Sequence, residues 1–85
     1  MKLRLYSIYD AATEAYMNPV YLHTKAHAIR EIGAAVNDPN HQFHQNAADL
    51  TLFELGEWDD ATGRVEMHEA NINLGCLIEM KNKAE

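Results

Sequence analysis

Two pairs of histidines have a spacing that could support metal chemistry. His23 and His27 are four residues apart at the predicted start of a helix, so their rings could share one face and one metal ion. His41 and His44 form a second close pair in a polar segment. A zinc site would need both pairs to converge, and neither belongs to a known ligand framework. We therefore interpret these histidines as solvated or helix-capping side chains, and we expect no metal or other cofactor.

A cluster of carboxylates, Glu57, Asp59 and Asp60, could coordinate a cation or act as an acid–base pair. The run lacks the alternating oxygen ligands of a calcium loop, and aspartate is common in tight turns because its side chain bonds to the backbone. Nucleophiles are scarce: Ser7 falls in mid-strand without a glycine-flanked turn, and we expect Cys76 to be a buried packing residue. These residues predict no catalytic site and a protein that is not an enzyme.

Aromatic side chains recur on the predicted strands. If several share one solvent-facing sheet surface with Lys2, Arg4 and Arg64, they would form a stacking platform for single-stranded nucleic acid. The alternative is that they form the core or a dimer interface, where Tyr and Trp are also enriched. The aromatic residues concerned are Tyr6, Tyr9, Tyr16, Tyr21, Phe53 and Trp58.

The charge balance weighs against the nucleic-acid interpretation. The formal net charge is −6, from 7 Lys and Arg against 13 Asp and Glu. Tight nonspecific binding to phosphate backbones relies on Lys and Arg, so this balance disfavours it. A local basic surface is still possible, because Lys2, Arg4, Lys25 and Arg30 all lie in the first third of the chain.

Length and composition predict one small globular domain spanning residues 1–85, because 85 residues suffice for only one core. Homodimerisation would be a plausible source of extra stability at this size. Cys76 is the single cysteine, which indicates a reducing compartment. The start of the chain lacks the apolar stretch of a signal peptide or membrane helix, so we expect a soluble protein that does not contact a membrane.

The first half of the chain predicts strand, strand and helix. Residues 3–9 are rich in strand-favouring side chains, and a second strand over residues 15–22 is broken by Pro19 or lies at an edge. Thr24 is a candidate N-cap for a helix that ends before Pro39. The predicted apolar stripe of this helix comprises Ala26, Ile29, Ile32 and Val36, and Gly33 is predicted to mark close packing against the sheet.

The second half predicts a hairpin. Residues 50–58 indicate the strongest strand, with Glu54 and Glu57 toward solvent, and the turn Asp59–Gly63 ends in a glycine suited to the left-handed conformation. The return strand from Arg64 alternates, with Val65 and Met67 predicted to point inward. The predicted fold class is therefore α+β: a small antiparallel sheet in the order β-β-α-β-β plus a C-terminal extension, with one helix packed on one face. The structure of residues 69–85 stays open.

Three segments together resemble a known family. They are Ile8-Tyr9-Asp10, the helix end Val36-Asn37-Asp38-Pro39, and the run Ala48–Gly63, which contains Leu-Gly-Glu-Trp-Asp-Asp. The chain resembles the small nonstructural protein of gokushovirus-type microviruses, phages with circular single-stranded DNA genomes. The resemblance covers about residues 3–65, and the tail after His68 departs from the family pattern.

This resemblance implies a non-capsid protein in the cytoplasm of the bacterial host, acting in DNA binding, genome replication or the switch to packaging. It carries over no catalytic residues. The leading hypothesis is a phage accessory protein that binds single-stranded DNA weakly, without chemistry of its own. Its predicted phosphate contacts are Lys2, Arg4, Lys25, Arg30 and Arg64, and its predicted stacking residues are Tyr6, Tyr9 and Trp58.

The alternative hypothesis is an acidic interaction module, assembled as a homodimer. Glu57, Asp59 and Asp60 would then engage a basic partner, such as a phage replication or packaging protein. The two hypotheses differ in one structural feature. An exposed sheet face that is both aromatic and basic favours DNA, whereas the same face buried in a symmetric dimer favours the interaction module.

Overall fold

A computed structural model describes residues 1–81 and confirms the predicted α+β class. Over these residues a five-stranded antiparallel sheet is packed on one face by one main helix. The second predicted strand is split in two, and two 3-10 turns follow the short second helix and the last strand. The strands are β1 Lys2–Asp10, β2 Ala15–Tyr16, β3 Val20–Leu22, β4 Leu50–Asp59 and β5 Arg64–Cys76; the helices are α1 Lys25–Val36 and α2 Gln42–Gln45; the turns are Ala47–Asp49 and Leu77–Met80.

The sheet is built around β1, which has neighbours on both sides. It pairs with β4 along its whole length, and its other side pairs with β2 and β3 in turn. The gap between β2 and β3 falls at Pro19, which cannot donate a ladder hydrogen bond. Across this gap Ser7 Oγ donates to the Met17 carbonyl at 2.6 Å, and the Met17 amide donates to the Ile8 carbonyl at 2.8 Å. The broken edge strand is therefore tied to β1 on both sides of the proline.

Helix α1 begins where the sequence predicted. Thr24 is extended and its hydroxyl accepts a hydrogen bond from the His27 amide at 3.1 Å, as an N-cap does. The apolar stripe that packs on the sheet differs from the prediction in one residue. Ala28 is fully buried together with Val36, whereas the predicted Ala26 is exposed. Ala28 lies four residues before Ile32 and eight before Val36, so these three share the face that packs on the core.

The core lies between α1 and one face of the sheet. Its largest fully buried side chains are Tyr6, Leu50, Leu52, Val36 and Leu77. Leu77 comes from the 3-10 turn after β5, so the C-terminal segment completes the core. The predicted burial of Cys76 is only partly met, because this thiol is half-buried and its Sγ lies 3.5 Å from the Ala47 carbonyl oxygen.

The hairpin between β4 and β5 confirms the predicted turn. Gly63 has φ of 75° and its amide donates to the Asp59 carbonyl at 2.7 Å. This left-handed conformation is inexpensive for glycine alone. The turn therefore fixes the point at which β5 starts back along β4.

Two sequence predictions about side-chain direction on this hairpin are wrong. Glu54 is buried with an exposed fraction of 4%, and Val65 and Met67 are exposed at 44% and 56%. Glu54 continues the alternation of the buried Leu50 and Leu52, so it points toward the core with them. For Val65 and Met67 the cause is irregular pairing: Leu55 is an extra residue in β4 opposite β1, and β5 has four residues, 68–71, opposite that same point of β4. Each extra residue reverses the in–out alternation beyond it.

The glycine that marks a close approach is Gly56, not Gly33 as predicted. A Cβ on Gly56 would lie 2.9 Å from the Met67 Cα and closer still to the Glu66 carbonyl oxygen, whereas a Cβ on Gly33 would meet nothing within 4 Å. Gly56 therefore lets β5 lie tightly against β4 beside the bulge.

These two glycines give a matched test of the fold. We expect Gly56→Ala to lower the free energy of unfolding by about 1–3 kcal/mol, because the backbone of β5 must move. Gly33→Ala should raise it by up to about 1 kcal/mol, because alanine is the better helix former. Urea denaturation of both variants measures the difference. Equal effects from the two substitutions would contradict the close approach at Gly56.

Candidate functional site

The register of the sheet sorts side chains onto two faces with different chemistry. Cross-strand partners share a face, so the register assigns each paired residue to the helix-covered face or to the opposite one, called here the open face. On the central and β5 strands the charged residues that have a cross-strand partner fall on the helix-covered side: Lys2, Arg4, Asp10, Glu54, Glu57, Asp59, Arg64 and Glu66. The paired open-face positions are uncharged along all the described strands, and include Leu3, Leu5, Tyr9, Tyr16, Tyr21, Phe53, Trp58, Val65 and Met67.

Five aromatic rings lie on the open face in two groups. Tyr16 stands between Tyr9 and Phe53, with ring centroids 5.0 Å and 5.7 Å away, and its hydroxyl accepts a hydrogen bond from Asn71 at 3.0 Å. Tyr21 and Trp58 form the second group at 5.6 Å. We call these five residues the aromatic face. Tyr16 and Tyr21 are 45% and 44% exposed, so their rings are accessible to a ligand.

The predicted stacking residues divide between the two faces. Tyr9 and Trp58 belong to the aromatic face, but Tyr6 is 1% exposed and lies under α1, so its predicted stacking role is corrected to a core role. Tyr16 and Tyr21, from the short strands β2 and β3, were not among the predicted contact residues. The face on which these two side chains lie can be assigned only when the pairing of β2 and β3 with β1 is known.

The predicted phosphate contacts do not join the aromatic face. Lys2 Nζ lies 3.8 Å from Glu57, and Arg4 Nη1 lies 3.3 Å from Glu54, both on the helix-covered side. Arg64 is the cross-strand neighbour of Asp59 on that same side. Lys25 and Arg30 are exposed on α1, which covers that side of the sheet. The basic residues and the aromatic residues are therefore separated by the thickness of the sheet.

A polar cluster that the sequence did not reveal is centred on the buried carboxylate of Glu54, with the exposed Arg4 and the half-buried His68 as its partners. This carboxylate lies 2.7 Å from His68 Nε2 and 3.3 Å from Arg4 Nη1. The cause is again the register shift at Leu55, which brings His68 and Arg4 to the same point. A buried carboxylate needs such partners, because an unpaired charge in the interior is costly. The geometry supports a structural role in holding the irregular strand β5 against the sheet.

The acidic cluster at the hairpin is largely engaged within the chain. Asp59 Oδ1 accepts a hydrogen bond from the Ala61 amide at 2.9 Å, which confirms the turn role predicted for it. Asp60 accepts from the Met1 amino group at 2.8 Å, and this hydrogen bond raises the pKa of that amino group. Glu57 is near Lys2. These contacts leave less free negative charge for a partner than the sequence suggests.

The four histidines of the two predicted pairs lie at separate structural positions. His41 caps α2 by accepting from the Phe43 amide at 3.0 Å, His44 Nδ1 lies 2.9 Å from the Val36 carbonyl oxygen, and His27 Nε2 is 3.6 Å from Glu31. His23 is exposed ahead of α1. The capping interpretation is confirmed for His41. Within residues 1–81, no group of three or more His, Cys, Asp or Glu side chains is placed to hold a metal ion.

The fold and this surface define a small α+β protein with one helix-covered and one open, uncharged sheet face. A family model described as "Phage ORF5 protein" matches residues 3–80. The chain therefore belongs to the Phage ORF5 protein family, and it is a phage protein. No curated protein and no solved structure matches it. None of the helices in residues 1–81 has the length and apolar character needed to cross a bilayer.

The buried hydroxyl of Tyr6 gives a test of the core beneath the site. It has no hydrogen-bond partner among residues 1–81, and burial, followed by the nearby charge of Glu54, raises the pKa of Tyr6. A raised pKa in the folded state contributes stability that is present below pH of about 10 and lost as the pH rises through the folded value. We expect Tyr6→Phe to match or exceed the parent protein in stability at pH 7, because it removes an unpaired polar group.

The dependence of stability on pH in the alkaline range provides the second measurement. The unfolding midpoint of the parent should fall more steeply above pH of about 10 than that of Tyr6→Phe. Tyr9→Phe is the control, because its half-buried ring lies on the open face. A clear loss of stability in Tyr6→Phe at pH 7 would show that the hydroxyl has a stabilising partner.

Proposed function

We propose that this phage protein is a non-catalytic accessory protein that binds single-stranded DNA through its aromatic face. The observation that carries the proposal is that five aromatic rings, from four strands, share one sheet face that no described helix covers. The resemblance to the nonstructural protein of gokushovirus-type microviruses supports the same proposal, because those phages carry single-stranded DNA genomes. The role would lie in genome replication or in its switch to packaging, in the bacterial cytoplasm.

Stacking is the interaction that this surface offers. Unpaired bases can lie on aromatic rings, and each such contact is worth about 1–3 kcal/mol in single-strand binding proteins. Tyr16 and Tyr21 are the most exposed rings of the aromatic face, and Trp58 lies beside Tyr21. Duplex DNA has its bases stacked internally, so this face would prefer single strands.

The separation of charge predicts an unusual binding mode. Most single-strand binding proteins combine stacking with a positively charged groove. The paired positions of the open face carry no charge, and Lys2 and Arg4 lie near carboxylates on the other side. Binding would therefore be weak, driven by stacking, and only slightly dependent on salt, with a logarithmic slope of about −1 or shallower.

A basic protein partner at the acidic hairpin is the less favoured candidate. Asp59 is used in the turn and Asp60 accepts from the Met1 amino group, so both carboxylates already have partners. Only Glu57, with a longer contact to Lys2, retains much of its free charge. Reversing these three charges tests the candidate: unchanged binding to purified phage replication proteins would exclude it.

Fluorescence of the sole tryptophan tests the DNA proposal directly. Trp58 lies on the aromatic face, so bound oligo(dT) should quench its emission. We expect Tyr16→Ala or Tyr21→Ala to weaken binding by about 5-fold or more, the loss of one stacking contact. Ile72→Ala is the matched control, because Ile72 is equally exposed at 45% but lies on the helix-covered side.

A charge placed on the open face separates DNA from a protein occupant. Met67 is 56% exposed there, so both Met67→Lys and Met67→Glu should fold. DNA binding predicts opposite results: the lysine variant binds oligo(dT) more tightly and with a steeper salt dependence, and the glutamate variant binds more weakly. If the two variants change oligo(dT) binding in the same direction, the charge on this face does not act on a phosphate backbone and the face is not the DNA-binding surface. Absence of quenching by oligo(dT) at low salt would overturn the proposal.

A further inference from the structure

The two edges of the sheet differ in a way that points to a binding surface. One edge consists of the two-residue β2 and the three-residue β3, separated at Pro19, and is poorly suited to further pairing. The other edge is β5, which has 13 residues and pairs only with β4 among the described strands. Long open edges of this kind are templates for another strand.

Only part of β5 is regular enough to serve as such a template. Residues 68–71 have no regular counterpart in β4, and such an irregularity bends a strand and interrupts its ladder. By contrast, residues 64–67 pair one to one with β4 and are all exposed. The usable edge is therefore the short segment Arg64–Val65–Glu66–Met67, called here the open edge.

The charges of the open edge are not balanced within the chain. Glu66 is directly across from Glu57, so two carboxylates oppose each other on β4 and β5. Neither Glu66 nor Arg64 has an ion-pair partner within 4.0 Å among residues 1–81. A cation supplied from outside the open edge would relieve the repulsion at Glu66.

We propose that a second copy of this chain pairs with the open edge in antiparallel fashion about a two-fold axis at Val65. Two residues directly opposite each other in an antiparallel pair point to the same face of the sheet. A two-fold axis that relates the two copies must therefore pass between a residue and the same residue of the other copy. An axis at Val65 places Arg64 of each copy opposite Glu66 of the other, which makes two opposite-charge pairs. An axis at Glu66 would oppose the two Glu66 carboxylates, and an axis at Met67 would draw in the irregular residues 68–71. Charge complementarity therefore selects the first arrangement.

This dimer would have a consequence for the aromatic face. A two-fold axis perpendicular to the sheet keeps each face on its own side, so the two sheets become one and their aromatic faces become continuous. Where the proposed DNA function holds, one strand could then cross two stacking surfaces, and its affinity would rise through the second attachment. The pairing itself does not depend on that function.

A charge swap tests the pairing without DNA. Arg64→Glu and Glu66→Arg, each alone, place like charges opposite each other at both positions, so sedimentation equilibrium should show the dimer dissociation constant rising by about tenfold or more. The double variant Arg64→Glu/Glu66→Arg restores opposite charges and should restore dimerisation. Glu66→Arg should not destabilise the monomer, since it removes the repulsion with Glu57. Failure of the double variant to recover dimerisation would overturn the proposal.

Cross-linking provides an independent measurement. In a Cys76→Ser background, which removes the only native thiol, Val65→Cys should form an intermolecular disulfide readily, because residues at the axis face each other within disulfide range. Ile72→Cys is the control, with matched exposure of 45% against 44% and a position away from the axis. Equal cross-linking of the two variants, or a monomer at all concentrations, would exclude this dimer. The quenching of Trp58 fluorescence by DNA is a separate measurement, so neither of these results decides the proposed DNA function.

Discussion

The antiparallel pairing of β1 with β4 is the constraint on which the rest of the structure depends. It runs the length of both strands, with a single extra residue at Leu55. On one side of that residue the strands supply Ile8, Leu50 and Leu52 to the core under α1. On the other side the alternation is reversed, so that Trp58 falls on the open face and the carboxylates near the hairpin fall on the helix-covered face. One inserted residue thus separates aromatic from charged chemistry.

Several features follow from the same irregularity. His68 and Arg4 are brought beside Glu54, which is buried in regular alternation with Leu50 and Leu52, and they supply the polar partners that its burial requires. Gly56 allows β5 to come close where the two strands fall out of step. The excess residues 68–71 interrupt the outer edge of β5 and leave only a short regular segment beyond the hairpin. The core, the aromatic face and the open edge are therefore parts of one arrangement, and a change in register would alter all three.

Membership of the Phage ORF5 protein family places the chain among phage proteins, while the geometry indicates how such a protein could work. An uncharged aromatic surface binds by contact and stacking, so its ligand must itself present flat or apolar groups. The net charge of −6 disfavours occupants that are held mainly through a phosphate backbone.

The sequence by itself determined the local elements, because their signals lie within a few residues. Thr24 and Pro39 bounded the helix, Gly63 fixed the hairpin, and Pro19 predicted the broken edge strand. The faces on which side chains lie were decided only by the tertiary structure. Tyr6 and Trp58 both belong to strands with apolar residues in both phases, so alternation could not say which would be buried; α1 covers Tyr6, and the extra residue at Leu55 turns Trp58 away. Side-chain direction in a sheet depends on register, and register is set by pairing between distant segments.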